Sequence, residues 1–225
     1  MLNGRLLTVY NKIPSCNIVS DIGTDHGYIP VELIIQGKCN RVIGADIGKG
    51  PLSAAEKNAV KFNVLDKIQL RQGNGLAPIE MEEMDTVIIA GMGGELICKI
   101  LSQDLEKAKK ANTLILQAMN HVEELRRFLY LEGFDILDEE LSREDRRLYN
   151  IMVARYDGIV RVKSPFLVYI GEMLIKNKDP LLAKHVAKHI TRINKALVGL
   201  EKSNNNMKSE MDRLLALRKE VEGIL

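Results

Sequence analysis

The stretch Asp21-Ile22-Gly23-Thr24-Asp25-His26-Gly27 joins an apolar run, Ile18-Val19, to an amphipathic segment from Tyr28 to Gln36. An apolar strand, a glycine-rich turn and a helix in this order are typical of a loop that binds a nucleoside cofactor. In such a loop the cofactor lies against the N-terminus of the helix. The segment therefore predicts an α/β domain with a cofactor site after its first strand.

Asp25 separates this loop from that of a dinucleotide site. The spacing is Asp-x-Gly-x-Asp-x-Gly, and Asp25 stands where a dinucleotide site usually has a second glycine. A carboxylate here would repel a pyrophosphate but would favour a positively charged sulfonium. The loop therefore indicates S-adenosylmethionine rather than NAD, and an ordinary strand-end turn with a solvated aspartate is the alternative.

Apolar, β-branched runs alternate with helical patterns between Asn17 and Tyr156. The predicted strands are Ile18–Ile22, Arg41–Ile47, Ile68–Gln72, Thr86–Ala90, Thr113–Gln117, Phe134–Leu141 and Tyr149–Ala154. The predicted helices are Tyr28–Gln36, Pro51–Phe62, Glu95–Leu101 and Val122–Glu132. Strands separated by helices indicate βαβ units and a mostly parallel sheet.

The last two predicted strands are joined by Ser142–Arg147, which is too short for a crossover helix. They should therefore pair antiparallel, as a hairpin. Seven strands of which the last is antiparallel form the sheet of class I methyltransferases. We predict this Rossmann-like fold, with an S-adenosylmethionine-binding catalytic domain over residues 1–158.

Residues 159–225 have a different pattern. Asp179-Pro180 is typical of a helix start. Apolar residues then recur at 4-3-4-3 spacing, at Val186, Ile190, Ile193, Leu197 and Leu200. After an interruption at Ser203–Asn206 they resume, at Met207, Met211, Leu214, Leu217, Val221 and Ile224. This spacing predicts a helical coiled-coil hairpin as a second domain.

Charge is unevenly distributed along the 225 residues. The net charge is +2, but residues 1–157 carry −4 and residues 158–225 carry +6. Lys184, Lys188, Lys195 and Lys202 fall on one helical face, away from the apolar seam. A basic helical arm indicates a polyanionic partner, and a solvated face on a dimerising coil is the alternative. The oligomeric state, monomer or weak dimer, stays open.

Other composition features favour a cytoplasmic protein without membrane or metal. No apolar run reaches the roughly 18 residues that span a bilayer, and the N-terminus lacks the apolar core of a signal peptide. Cys16, Cys39 and Cys98 are scattered and show no metal spacing, so we expect reduced thiols. His185 and His189 are four residues apart but have no third ligand nearby.

Candidate cofactor residues follow the predicted strands in order. Asp21 ends the first strand, and Asp46 ends the second, 19 residues after Gly27. An acid at this offset can accept hydrogen bonds from both ribose hydroxyls. After the third strand, the Asn74 carboxamide can both donate to adenine and accept from it, although a plain glycine turn is the alternative.

The fourth strand ends in Gly91-Met92-Gly93-Gly94. Open α/β sheets bind ligands at this end of their strands, and three glycines leave room for a flat base and the sulfonium. Methyltransferases of exocyclic base amines usually have an acid or Asn, two prolines and an aromatic residue here. Their absence argues against exocyclic amine methylation. His26 and His121 could contact ligands or simply begin helices.

These motifs identify a family resemblance that covers the whole chain. Asp-Ile-Gly-Thr-Asp-His-Gly-Tyr-Ile-Pro (21–30), Gly-Asn-Gly-Leu (73–76), Ile-Ala-Gly-Met-Gly-Gly (89–94) and Leu-Ile-Leu-Gln (114–117) resemble the bacterial TrmK-type enzymes. Two departures are present. The family usually has Gly-Asp-Gly-Leu where this chain has Asn74, and Gln-Pro-Asn where it has Gln117-Ala118-Met119-Asn120.

The resemblance implies transfer of a methyl group from S-adenosylmethionine to N1 of adenine 22 in tRNA. Together with the patterns above it predicts cofactor contacts from Asp21, Gly23, His26, Gly27, Asp46, Ile47, Asn74, Gly75, Gly91 and Met92. It predicts substrate contacts from Arg5, Tyr28, Gly93, Asn120, Lys184, Lys188, Arg192 and Lys195. A methyltransferase for another RNA, a protein or a small molecule, and a non-catalytic RNA-binding protein, are the alternatives.

Asp25 is the candidate catalytic residue. Adenine N1 carries a lone pair, so its methylation needs no strong base, but the product base is a cation. A carboxylate beside the base would stabilise the charge that develops during transfer. The alternative role for Asp25 is structural, with its side chain accepting backbone N–H groups of the loop.

Overall fold

The computed structural model describes residues 2–201 and 207–224. The chain divides into two compact units, Met1–Val162 and Lys163–Leu225. Lys202 and the helix interruption predicted at Ser203–Asn206 lie outside the described residues. No helix within the described ranges combines the length and the apolar character that crossing a bilayer requires.

The first unit is built on a seven-stranded sheet with strand order β3-β2-β1-β4-β5-β7-β6. The strands are β1 (Cys16–Ile22), β2 (Cys39–Asp46), β3 (Ile68–Gln72), β4 (Thr86–Met92), β5 (Thr113–Ala118), β6 (Phe134–Glu144) and β7 (Arg147–Tyr156). The first five pair in parallel, and β7 lies antiparallel between β5 and β6. The predicted class I methyltransferase fold is confirmed.

Six α-helices accompany these strands in the described part of the first unit. They are α1 (Gly4–Lys12), α2 (Tyr28–Ile35), α3 (Lys49–Lys61), α4 (Gly94–Gln103), α5 (Leu105–Lys110) and α6 (Val122–Leu131). The central strands read as continuous apolar runs because they are covered on both faces. Three successive residues of β5 illustrate this, since Leu114, Ile115 and Leu116 have no exposed surface although neighbouring side chains point to opposite faces.

The β6–β7 hairpin is longer than predicted. The two strands pair antiparallel as predicted. The loop predicted over Ser142–Arg147 is too long, because β6 continues to Glu144 and β7 begins at Arg147. Asp145 begins the two-residue turn with φ of 51°, the left-handed backbone that short hairpin turns use. Ser142 pairs with Tyr149 inside the sheet, and its hydroxyl accepts a hydrogen bond from the Thr8 hydroxyl at 3.1 Å.

Helix α1 precedes the sheet and has no counterpart among the predicted elements. Its Val9 is fully buried, and the Lys12 ammonium pairs with Asp138 at 2.7 Å and with Glu140 at 2.6 Å on β6. The Glu144 carboxylate accepts the Arg5 backbone N–H at 2.9 Å, in the first turn of the helix. A carboxylate at this end also complements the helix dipole. These contacts hold Arg5 at a defined place beside the sheet.

Within the described residues, the second unit contains four helices, α7 (Pro165–Ile170), α8 (Glu172–Lys176), α9 (Leu182–Glu201) and α10 (Lys208–Glu222). Most of the predicted seam residues pack together in its core, which also includes Ile170 of α7. Helix α9 begins two residues after Pro180, because the Asp179 carboxylate accepts the Leu181 N–H at 2.7 Å in a preceding turn. The two short helices have no counterpart in the prediction.

Candidate active site

A cavity of about 450 Å³ lies at the carboxyl ends of β1, β2 and β4. Strand order reverses between β1 and β4, and open α/β sheets bind ligands at such a switch point. The cavity is lined by Arg5, Leu6, Asp21, Gly23, Asp25, Tyr28, Ile29, Asp46, Ala90, Gly91 and Met92. Eight of the predicted site residues therefore come together here.

The loop after β1 is fixed by backbone hydrogen bonds to β2. The N–H groups of Gly23 and Thr24 both donate to the Ala45 carbonyl, at 2.7 and 3.0 Å. Gly23 has φ of 75°, in the left-handed region, and a Cβ atom there would overlap the Met92 methyl group. Glycine is therefore favoured at position 23 by its backbone conformation, and any side chain would also displace Met92 from the cavity wall.

Gly27 serves helix packing rather than the cavity. It has φ of 62° at the N-terminus of α2, and a Cβ atom would lie 3.0 Å from the Ala55 Cβ on α3. Its neighbour His26 also does not line the cavity, since the His26 ring stacks on Tyr28 with centroids 5.3 Å apart.

Two carboxylates face the cavity from the ends of β1 and β2. Burial raises the pKa of Asp21 to about 6, and the negative charge of nearby Asp46 contributes to the rise. The Asp46 Oδ1 atom accepts the Gly48 N–H at 2.7 Å, which orients the carboxylate at the cavity edge. The pair gives this part of the cavity a negative character suited to a cationic or hydroxyl-rich ligand.

Asp25 lies at the mouth of the cavity. Its side chain is 71% exposed, and its Oδ1 atom is 3.6 Å from the His26 Nε2 atom. Among the described residues, no backbone N–H donates a hydrogen bond to the Asp25 carboxylate. The carboxylate is therefore available to a ligand that enters the cavity.

Gln117 connects two walls of the cavity. Its Oε1 atom accepts from the Gly91 N–H at 3.1 Å and from the Arg5 guanidinium at 2.7 Å. Gln117 is fully buried, so these two hydrogen bonds satisfy its carbonyl and hold Arg5 over Gly91. The sequence placed Gln117 in the family motif at the end of the fifth strand but gave no contact for it, and the hydrogen bond to Arg5 appears only in the structure.

The remaining predicted residues of this unit lie in loops around the same sheet edge, without lining the cavity. Gly73 donates its N–H to the Asp46 carbonyl at 3.0 Å, which brings the loop containing Asn74 and Gly75 beside β2. Ile47 is 69% exposed. On the other side, the Asn120 carbonyl accepts the Gly94 N–H at 3.0 Å, so Gly93 and Asn120 are neighbours.

The predicted cations of α9 belong to the second unit. Lys184, Lys188, Arg192 and Lys195 are all exposed. His185 is buried among the core residues, and its Nε2 atom lies 3.1 Å from the Ile170 carbonyl oxygen. Within the described residues, His, Cys, Asp and Glu side chains form no group of three that could hold a metal ion.

Comparison with known proteins identifies the family. Residues 2–152 match the model of a methyltransferase domain. Over 98% of the chain and 97% of the relative, the sequence is 32% identical to the tRNA (adenine(22)-N(1))-methyltransferase of Bacillus subtilis (strain 168). The chain belongs to this methyltransferase family.

Two solved structures are similar over the full length of this family member. A Streptococcus pneumoniae protein in complex with S-adenosyl-L-methionine has 30% identity and a TM-score of 0.87. M. capricolum TrmK in complex with S-adenosyl-homocysteine has 28% identity and a TM-score of 0.85. Each match covers 100% of both chains. The predicted resemblance to the TrmK-type methyltransferases is confirmed.

Proposed function

We propose that this chain is a cytoplasmic methyltransferase that transfers a methyl group from S-adenosylmethionine to N1 of adenine 22 in tRNA. The main support for the proposal is the cavity at the switch point between β1 and β4. This cavity is lined by residues of the cofactor loop, the second strand and the glycine-rich fourth strand. The full-length similarity to a tRNA methyltransferase supplies the substrate.

The cofactor is proposed to lie along the ends of β1, β2 and β4. Asp46 is suited to accept hydrogen bonds from the ribose hydroxyls, because its carboxylate lies at the cavity edge. Asp21 is suited to the positively charged part of the cofactor. The neighbouring Asn74 and Gly75 are proposed to contact the adenine, with Ile47 beside it.

The substrate adenine is proposed to enter between Asp25, Tyr28 and the Gly91–Met92 backbone. The N1 lone pair attacks the methyl carbon, the bond from carbon to sulfur breaks, and the positive charge passes from sulfonium to base. Holding N1 in line with the methyl group can supply several kcal/mol of the rate enhancement. The Asp25 carboxylate then stabilises the cationic base. Arg5 is proposed to contact the substrate from the cavity wall, and Gly93 and Asn120 from the neighbouring loops.

Folded tRNA pairs or stacks most of its bases, so the target nucleotide must leave the stack at a cost of a few kcal/mol. We propose that the exposed cations of α9 help to supply this energy by binding phosphates. Lys184, Lys188, Arg192 and Lys195 are exposed on the helix, whereas the apolar seam residues are packed in the core of the unit.

An Asp46→Ala variant is expected to bind S-adenosylmethionine more weakly by about 1–3 kcal/mol, because the ribose hydroxyls lose an acceptor. Titration calorimetry measures this difference directly. An Asp66→Ala variant, which changes an exposed carboxylate outside the cavity, is the matched control and should retain wild-type affinity. Equal affinity of Asp46→Ala and wild type would remove Asp46 from the ribose site.

Cofactor affinity is expected to fall as the pH drops below about 6. The pKa of Asp21 is raised to about 6, so its carboxylate is ionised above that pH and becomes neutral below it. A cationic ligand prefers the ionised form, and affinity should weaken by up to about tenfold per pH unit once Asp21 is protonated. An Asp21→Asn variant should bind more weakly at pH 8 and show a flatter profile. Matching profiles for both proteins would contradict the assignment.

The proposed function is tested by nucleoside mass spectrometry of tRNA from cells that lack the protein. 1-Methyladenosine at position 22 should be lost and should return when the wild-type gene is restored. Unchanged 1-methyladenosine at that position would refute the proposal.

A further inference from the structure

The exposed aromatic side chains of the protein are confined to one place. The chain has six Tyr and four Phe residues, all within the described ranges. Of these ten, only Tyr28 and Phe62 are exposed, at 50% and 48%. An exposed aromatic ring forgoes the free energy that its burial would contribute, so two such rings on one surface indicate a binding site.

Both rings line one groove of about 420 Å³ between α1, α2 and the end of α3. Its volume is within the range of small-ligand sites. The groove shares Leu6 and Tyr28 with the active-site cavity. A ligand that fills both spaces would therefore pass directly over Tyr28.

Tyr28 is held in position as the wall between these spaces. Its ring stacks on His26 at an interplanar angle of 14°. The His26 carbonyl in turn accepts a hydrogen bond from the Asn58 amide at 2.8 Å, which connects the loop to α3. Tyr28 thus presents a supported ring to the groove.

The polar lining suits a nucleotide. Lys61 is exposed, and its Nζ atom lies 5.6 Å from the centre of the Phe62 ring, so a cation stands beside an apolar ring. Glu32 and Asn58 also line the groove, so its wall is polar as well as aromatic. Aromatic rings that stack bases, with cations that bind phosphates, are the usual parts of a single-stranded RNA site.

We propose that this groove is a second base-binding site, which takes the base of an unpaired nucleotide next to the target adenosine. The proposal rests on the proposed function. Extruding one nucleotide unstacks its neighbour, and that neighbour needs a new stacking partner. Phe62 and Tyr28 provide it, and Lys61 binds the adjoining phosphate. Continuity with the active-site cavity favours the substrate RNA over a protein segment or a second copy of the chain.

The test compares Phe62→Ala with wild type on full-length tRNA. Stacking of a base on an aromatic ring is worth about 1–3 kcal/mol, so the variant should lose about 5- to 150-fold in kcat/KM, mainly through KM. Its affinity for S-adenosylmethionine should stay within about twofold. Phe62→Tyr should keep wild-type kcat/KM because it keeps the ring. Val60→Ala is the control, since Val60 is also exposed on α3 but lies outside the groove.

A binding measurement separates this proposal from the proposed function. 2-Aminopurine is placed at each nucleotide that flanks the target, and its fluorescence should be quenched by wild type at one position and not by Phe62→Ala. Removing the base at that position should weaken tRNA binding by the wild-type protein and should leave tRNA binding by Phe62→Ala unchanged. If the wild-type protein methylates tRNA and the kcat/KM of Phe62→Ala is within about twofold of the wild-type value, the groove proposal is overturned while the proposed function stands.

Two further results would also overturn it. In the first, Phe62→Ala binds RNA normally but changes its self-association in sedimentation, which would make the groove a protein interface. In the second, the wild-type protein binds S-adenosylmethionine but neither binds nor methylates tRNA, and the proposed function then fails as well.

Discussion

An Asp25→Ala variant is expected to lose about 100-fold or more in single-turnover methyl transfer while still binding S-adenosylmethionine and tRNA. Groups that stabilise charge only in the transition state lower the rate by this order when removed. Asp25 is placed for this role because its carboxylate lines the cavity mouth and receives no backbone N–H among the described residues.

The measurement is a rapid-quench assay with enzyme in excess over tRNA, which isolates the chemical step. Asp25→Asn is the informative companion, because it keeps an acceptor oxygen and removes the charge. It should fall between wild type and Asp25→Ala. A rate for Asp25→Ala within about threefold of wild type, less than about 1 kcal/mol of barrier, would make Asp25 a structural or cofactor residue.

Removing the α9 cations is expected to produce the largest loss of tRNA affinity. A protein with Lys184, Lys188 and Lys195 all changed to Gln should show a weaker salt dependence, with the slope of log K against log salt reduced by nearly one unit for each lost phosphate contact. Its affinity for S-adenosylmethionine should not change, because these residues belong to the second unit.

The control carries the same loss of charge elsewhere. Lys67, Lys99 and Lys110 are exposed on the first unit, and changing all three to Gln should reduce the slope much less. Equal slopes for wild type and the α9 variant would show that α9 does not bind phosphates. Basic residues on a solvated or self-associating helix would then be the better account.

The sheet could be predicted because its strands are covered on both faces and read as apolar runs. Helix α1 could not be predicted, because the residues that hold it in place are distant in sequence. Gly4 begins it with φ of 48°, and Glu144, 139 residues after Arg5, accepts the Arg5 N–H. The predicted hairpin turn is too long for a related reason, since Glu144 pairs with Arg147 across the hairpin and Ser142 accepts a hydrogen bond from Thr8 of α1.

The candidate site could be predicted largely because parallel strands end at one sheet edge. That rule predicts that Asp21, Asp46 and Gly91 lie together, as they do in the cavity. It does not predict that Gly27 is needed for helix packing, because that depends on the close approach of Ala55. It also does not predict the hydrogen bonds that Gln117 accepts from Arg5 and Gly91.

Transfer of a methyl group to N1 of adenine 22 can be measured with the purified protein, S-adenosylmethionine and two tRNA transcripts, one with adenosine and one with guanosine at position 22. We expect 1-methyladenosine in the first transcript, detected by nucleoside mass spectrometry, and no methylation of the second. N6-methyladenosine as the product, or equal methylation of both transcripts, would contradict it.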